Sequence, residues 1–97
     1  MNKNALVIEE GDSVAIVLQE IKKGTKVVLS SKEQFIAQEN IPTGHKVSRM
    51  KILCGQDIIK YGLRIGRATK NIDKGYHVHV HNMEEVVEEV IKGGDKR

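Results

Sequence analysis

Large aromatic side chains are almost absent from this sequence, which has no Trp, one Phe and two Tyr among 97 residues. Without aromatic rings, the core has to come from Ile, Val and Leu, and the β-branched members of that group favour strands. Proteins that bind single-stranded nucleic acid stack bases on aromatic side chains. The net charge of +3 is also small. A role in nucleic-acid binding is therefore not predicted.

Cysteine and long apolar runs are scarce as well. The single cysteine, Cys54, has no partner within the chain for a disulfide, as is typical of proteins in a reducing compartment. No segment approaches the ~20 consecutive apolar residues of a membrane span, and the first residues lack the apolar stretch of a signal peptide. These absences predict a cytoplasmic protein, and the length suits a single domain, 1–97.

A short repeat, Ile-x-x-Gly-x-x-Val/Ile, organises the chain. It occurs four times, at 21–27, 41–47, 52–58 and 72–78. The glycine predicts a turn that needs a positive φ angle, and the two apolar positions predict side chains that enter the core on either side of that turn. Apolar alternation between the repeats predicts strands, and Tyr61-Gly62 predicts a hairpin turn. The expected fold is mainly β, with two related halves.

The last part of the sequence has a different period. Apolar residues recur with helical spacing at Met83, Val86, Val87, Val90 and Ile91. Asn82 is a good N-cap and Gly93 a good C-terminal stop. A short α-helix is therefore predicted over 83–92, packed either on the sheet of this domain or on a partner.

Histidine is the residue type that most clearly carries chemistry here. His77, His79 and His81 alternate with Val78 and Val80, so a strand would present the three imidazoles on one face and the valines to the core. His45 follows the glycine of the second repeat and could approach them from a loop. Imidazoles bind metals and transfer protons near neutral pH. No Asp or Glu is placed to complete a metal site with them, and a solvated or interface role remains an alternative.

Several motifs in order resemble a known family. They are Ile-Pro-Thr-Gly-His-Lys-Val at 41–47, Lys-Tyr-Gly at 60–62, Ile-Gly at 65–66 and Gly-Tyr-His-Val-His-Val-His-Asn at 75–82. Together they closely resemble the N-terminal SAF-type domain of the altronate/galactarate dehydratase family, and the similarity extends to the small subunit of sulfolactate sulfo-lyase. The resemblance implies a β-clip (SAF-like) fold over 5–82, followed by the short C-terminal α-helix over 83–92.

The resemblance also implies a function. The chain is expected to be the small subunit of a sugar-acid dehydratase, a lyase, that shares an active site with a large catalytic subunit and is inactive without it. An oligomer is expected, and a divalent metal, iron or manganese, is the implied cofactor of the complete enzyme. The implied site residues fall into three sets: catalytic His45, His77 and His79; substrate-binding Lys46, Lys60, Tyr61 and Asn82; and the metal ligands His79 and His81.

Two alternatives remain open from the sequence. SAF-type domains also serve as non-catalytic modules that bind carbohydrate or protein. The alternating histidines would also suit a simple metal-binding protein.

Overall fold

The computed structural model describes residues 2–86, and these residues form nine short β-strands in three antiparallel sheets. In chain order the strands are β1 (Ala5–Leu6), β2 (Val14–Val17), β3 (Lys26–Val28), β4 (Gln34–Ile36), β5 (Lys46–Ser48), β6 (Asp57–Lys60), β7 (Leu63–Ala68), β8 (His77–Val78) and β9 (Met83–Glu85). The central sheet has the order β1-β2-β5-β8, and β3-β4 and β6-β7-β9 form the other two. The prediction of a mainly β fold is confirmed.

The central sheet is buried on both faces. Strand β2 is the clearest example, since Ala15 and Val17 belong to one apolar cluster and Val14 to another. Successive side chains of a strand point to opposite faces, so one short strand serves two cores. The first cluster lies between the central sheet and the β3-β4 hairpin, and the second lies between the central sheet and the β6-β7-β9 sheet.

Each apolar cluster is closed by one pair of sequence repeats. Ile21 and Ile41 form an isolated antiparallel bridge in the first cluster, and Ile52 and Ile72 form the equivalent bridge in the second. All four side chains are at most 2% exposed. The prediction of two related halves is therefore confirmed, and the isoleucine that opens each repeat is the residue that joins its half together.

The four repeat glycines share one turn geometry. In each repeat the N–H two residues before the final apolar position donates to the carbonyl three residues earlier, at 2.9–3.3 Å. The glycine before that donor has φ between 82° and 91°. A positive φ at this position is the mark of a type II turn and favours glycine strongly. The predicted turns are confirmed.

The hairpin turn at Tyr61-Gly62 is also confirmed. It joins β6 to β7 through two residues that both have positive φ, 59° at Tyr61 and 74° at Gly62. Two such residues form a type I′ turn, which matches the twist of paired strands. A positive φ is strained for an aromatic residue, so other contacts must hold Tyr61 in this conformation.

The C-terminal segment differs from its prediction. Met83–Glu85 form strand β9, which pairs with β7, so the predicted helix over 83–92 does not begin at Met83. Gly66 explains the close pairing: a Cβ there would lie 2.9 Å from Cγ of Met83 and 2.6 Å from the carbonyl oxygen of Glu84. The remainder of the predicted helix, 87–92, lies outside the described residues. Within residues 2–86, no helix is long and apolar enough to cross a membrane.

Candidate active site

The four histidines of the chain converge at one end of the central sheet. His45 lies in the loop before β5, His77 lies in β8, and His79 and His81 follow β8. Ring centroids are 5.0 Å apart for His45 and His77, 4.5 Å for His45 and His79, and 5.4 Å for His77 and His81. His45 therefore approaches the other histidines from a loop, as expected.

A turn, rather than a continuous strand, groups the last three histidines. Strand β8 ends at Val78, which is fully buried, whereas Val80 is 78% exposed. The prediction that Val80 faces the core is thus wrong. The chain turns after Val78 because the His79 carbonyl accepts the N–H of Asn82 and the Asn82 side chain bonds to the same segment.

Asn82 shapes this turn with both ends of its amide. Its Oδ1 accepts the N–H of His79 at 2.9 Å, and its Nδ2 donates to the His77 carbonyl at 2.8 Å. The side chain is 5% exposed. Buried amide groups used in this way fix local backbone geometry. Its predicted contact with substrate remains a prediction, whereas its role in positioning the histidines is visible.

Glu39 joins the histidine cluster although the sequence did not single it out. Its Oε1 accepts the backbone N–H of His77 at 2.9 Å, 38 positions along the chain. The backbone N–H of Gln38 donates to the carbonyl of Gly75, which lies in the turn of the fourth repeat. The expectation that no Asp or Glu is placed to complete a metal site with the histidines is therefore wrong. Only this long-range pairing brings Glu39 in, and no local motif signals it.

Two overlapping sets of potential metal ligands occur in the cluster. One is His45, His77 and His79, and the other is Glu39, His77 and His81; within each set the ligand atoms lie within 4.8 Å of one another. The predicted ligand pair, His79 and His81, is divided between the two sets. Imidazole nitrogens suit Fe²⁺ and Zn²⁺, whereas Mn²⁺ prefers carboxylates and water. Of the two implied metals, iron fits the three-imidazole set better.

His77 is the shared member of both sets, and its pKa is lowered. Burial lowers its pKa below 6.5, and the neighbouring charges of His45, His81 and His79 lower it further, while Glu39 acts in the opposite direction. Its Nε2 lies 2.8 Å from Nδ1 of His45. Crowded imidazoles disfavour each other's protonation. His77 therefore favours its neutral form, in which a ring nitrogen can bind a metal ion or accept a proton.

The predicted substrate-binding lysines form a separate group. Burial lowers the pKa of Lys46 below 10.5, the charge of Lys60 lowers it further, and Glu85 acts in the opposite direction. Lys46 pairs with Val78 across β5 and β8, whereas Val47 pairs with His77. Because alternate residues point to opposite faces, Lys46 and His77 lie on opposite faces of the central sheet. The structure thus groups the histidines together and the lysines together, around the start of β5.

A buried carboxylate holds the turn that carries Lys60 and Tyr61. Oδ1 of Asp12 accepts the N–H of Gly62 at 2.9 Å, and its Oδ2 accepts the N–H of Glu9 at 3.2 Å. Burial raises the pKa of Asp12, but backbone N–H donors, that of Gly62 foremost, outweigh it and hold this pKa below 3.8. Lys60 Nζ in turn lies 4.8 Å from the centroid of the Tyr61 ring. Asp12 therefore stabilises the strained Tyr61 backbone.

A cleft of about 360 Å³ opens beside the histidine cluster. Its lining residues come from three segments: Glu39, Lys70, Asn71, Ile72, Asp73, Tyr76, His81 and Asn82. The cleft reaches the exposed His81 rather than the half-buried histidines. It supplies space for a small polar molecule next to the imidazoles.

Comparisons with known proteins agree with the motifs in the sequence. The model of the altronate/galactarate dehydratase SAF domain matches residues 3–86. Altronate dehydratase of Escherichia coli (strain K12) is 39% identical over 71 residues, which cover 73% of this chain and 14% of that protein. Altronate dehydratase of Bacillus subtilis (strain 168) is 34% identical over 80 residues, 82% of this chain and 16% of that protein.

A shorter relative matches over most of its own length. The (2R)-sulfolactate sulfo-lyase subunit alpha of Paracoccus pantotrophus is 40% identical over 58 residues, which cover 58% of this chain and 87% of that protein. The chain thus spans a small part of the dehydratases and most of this subunit. The resemblance inferred from the motifs is confirmed.

Proposed function

Because this chain belongs to the family of altronate/galactarate dehydratase SAF domains, we propose that it is the small subunit of a sugar-acid lyase. It contributes residues to an active site that a large catalytic chain completes. The likeness to a sulfo-lyase subunit alpha, which is matched over 87% of its length, supports a small-subunit role. The likeness to two altronate dehydratases supports sugar acids as the substrate class.

The observation that carries this proposal is the convergence of His45, His77, His79 and His81 at one end of the central sheet. Eliminating water from a hydroxy acid removes a proton from the carbon beside the carboxylate, and the hydroxyl on the next carbon leaves with a proton as water. Both steps need groups that exchange protons or polarise oxygen near neutral pH. Imidazoles supply such groups.

The lysine group supplies charge for the carboxylate of the substrate. Lys46 and Lys60 are close enough to lower the pKa of Lys46, and Glu85 is the carboxylate that opposes this effect. Two ammonium groups beside one carboxylate leave a net positive charge, which favours an anionic ligand. His45 and Lys46 are consecutive in the chain, so the histidine group on one face of the central sheet and the lysine group on the other both border the start of β5. A sugar acid that meets both groups has to lie at this end of the strand.

Dehydration is proposed ahead of sulfite elimination. The two altronate dehydratases match 73% and 82% of this chain, whereas the Paracoccus pantotrophus sulfo-lyase subunit matches 58%. Both reactions begin by removing a proton beside a carboxylate, so the same histidine and lysine groups would serve either. The leaving group alone separates the two reactions, and the large chain has to supply whatever recognises it.

The test is reconstitution of activity. The 97-residue chain is mixed with a large dehydratase chain from the same organism, and formation of a 2-keto-3-deoxy acid from altronate or galactarate is measured, with sulfite release from sulfolactate as the second assay. Turnover is expected only when both chains are present. Turnover by the large chain that does not change when this chain is omitted would refute the proposal.

The experiment also separates the proposal from its main alternative. A carbohydrate-binding module would bind altronate or galactarate tightly by itself and would add nothing to the turnover of the large chain. Calorimetry of the isolated chain with each sugar acid supplies this control. Tight binding together with unchanged turnover would favour the binding module.

A further inference from the structure

We propose that His45, His77 and His79 form a binding site for one divalent metal ion of the Fe²⁺ or Zn²⁺ class. The three residues supply imidazole nitrogens only, so coordination positions remain for a ligand from elsewhere. This inference does not rest on the proposed function, because it concerns binding by the isolated chain.

The geometry of the three rings is close to that of a metal site. Ligand nitrogens bound to one ion at ~2.0–2.1 Å lie roughly 3.0–3.4 Å apart. Nδ1 of His45 and Nε2 of His77 are already 2.8 Å apart, and all ligand atoms of the set lie within 4.8 Å of one another. The remaining contraction, at most about 1.4–1.8 Å, is within the reach of side-chain rotation at His79, whose ring stacks on His45.

The backbone that carries these rings is held independently of any ion. The His77 N–H donates to Glu39, and the His79 N–H donates to Asn82. His45 sits in a type II turn, where its N–H donates to the Pro42 carbonyl at 3.1 Å. Ligands on fixed backbone lose less conformational entropy when they bind an ion. The site is therefore built before the metal arrives.

Burial favours this set over the alternative one. His45, His77 and His79 are all half-buried, whereas His81 is exposed. In the alternative set, Oε1 of Glu39 is already occupied by the His77 N–H. His77 belongs to both sets.

The donor set determines the kind of ion. Three neutral imidazoles match Zn²⁺, Co²⁺ and Fe²⁺, whereas Mg²⁺, Ca²⁺ and Mn²⁺ prefer oxygen ligands. Three-histidine sites with an open position are typical of catalytic rather than structural metals. An ion held here would supply Lewis-acid activation of a substrate oxygen.

The test is titration of the full-length, untagged chain with Co²⁺, followed by its d–d absorption bands. One equivalent is expected to bind, Zn²⁺ should displace it, and Mn²⁺ should not. His45→Ala, His77→Ala and His79→Ala should each weaken Co²⁺ binding at least about tenfold. The controls His81→Ala and Glu39→Gln should keep affinity within about threefold of the parent chain, a difference of roughly 0.7 kcal/mol.

Other outcomes would overturn the inference. No d–d bands, more than one equivalent, or a similar loss in all five variants would exclude a three-histidine site. Loss confined to His77→Ala, His81→Ala and Glu39→Gln would assign binding to the other set. Circular dichroism checks that each variant is folded, and His45→Asn and His79→Asn replace any alanine variant that is not. Because the titration needs no partner and no turnover, its result is separate from that of the reconstitution.

Discussion

Nδ1 of His45 and Nε2 of His77 lie 2.8 Å apart, although the two residues are separated by 32 positions in the chain. Pairing of β5 with β8 makes this approach possible, because Val47 lies opposite His77 and Lys46 lies opposite Val78. A slip of one residue between the strands would turn His77 to the other face of the sheet. The histidine cluster thus depends on the register of one short strand pair.

The first prediction concerns the contribution of the cluster to turnover. In the reconstituted lyase, His77→Ala should lower kcat at least about 100-fold, because a group that transfers protons or holds a catalytic ion contributes at least that much. Lys22→Ala, on the exposed side of a turn and far along the chain, is the matched surface control and should leave kcat unchanged. Equal kcat values for the two variants would show that the histidine cluster is not part of the active site.

The second prediction concerns the lysine group. Lys46→Met keeps most of the side-chain volume but removes the charge that Lys60 and Glu85 act on. Losing one charged contact to a carboxylate costs about 1.5–3 kcal/mol, so KM for a sugar acid should rise roughly 10- to 100-fold, with a smaller change in kcat. The check is steady-state kinetics with altronate. An unchanged KM would mean that the lysine face does not meet the substrate.

The third prediction concerns acid stability. The folded chain holds the pKa of Asp12 below 3.8, so ionised Asp12 stabilises the fold above its unfolded pKa, and this stability is lost as pH falls through the folded pKa. Asp12→Asn should cost about 1–3 kcal/mol at pH 7, because it removes a charged acceptor of backbone N–H groups.

The measurement is urea unfolding of both chains at neutral and acidic pH. The free-energy difference between parent and Asp12→Asn should shrink as the pH falls below 3.8 and through the lowered pKa of folded Asp12, since the parent then loses the same charge. Asp57→Asn is the control, because Asp57 is exposed and its ion pair with Arg64 spans 3.5 Å; it should change stability by less than about 0.5 kcal/mol. A constant difference at all pH values would contradict the role of the Asp12 charge.

The fourth prediction compares two repeat glycines. Gly24 and Gly75 have nearly the same φ, 90° and 91°, but a Cβ at Gly24 meets nothing within 4 Å, whereas one at Gly75 lies 2.6 Å from the Ile36 carbonyl oxygen. Gly24→Ala should cost about 1–2 kcal/mol for the backbone conformation alone. Gly75→Ala should cost about 1–3 kcal/mol more for the collision. Urea unfolding of the two variants gives the comparison, and equal losses would contradict it.

The repeat and its turns could be predicted because they are local. Glycine at a fixed offset from two apolar residues demands a positive φ wherever it occurs, and all four repeats obey it. The hairpin at Tyr61-Gly62 follows from short-range turn chemistry in the same way. The family motifs then identified the histidines and lysines as site residues, and the structure arranges them in two groups.

The predictions that failed concern residues whose structure is set by contacts between distant parts of the chain, or whose apolar spacing fits both a helix and a strand. The stripe that begins at Met83 has helical spacing, but Gly66 offers a flat surface on which Met83–Glu85 pair as a strand instead. Val80 fits strand alternation in the sequence, yet the bond between the His79 N–H and the Asn82 side chain places Val80 in a turn. Glu39 enters the site only because the chain around Gln38 bonds to Gly75. Tertiary pairing overrides local pattern in each case.

The bond between Glu39 and the N–H of His77 has a further consequence. Strand β8 is an edge of the central sheet, and exposed edges invite pairing with strands of other molecules. Here the side chain of Glu39 occupies the N–H of His77, and that of Asn82 occupies the N–H of His79. The histidine segment is thereby blocked as a template for β-augmentation and self-aggregation. A binding partner has to recognise it through its side chains.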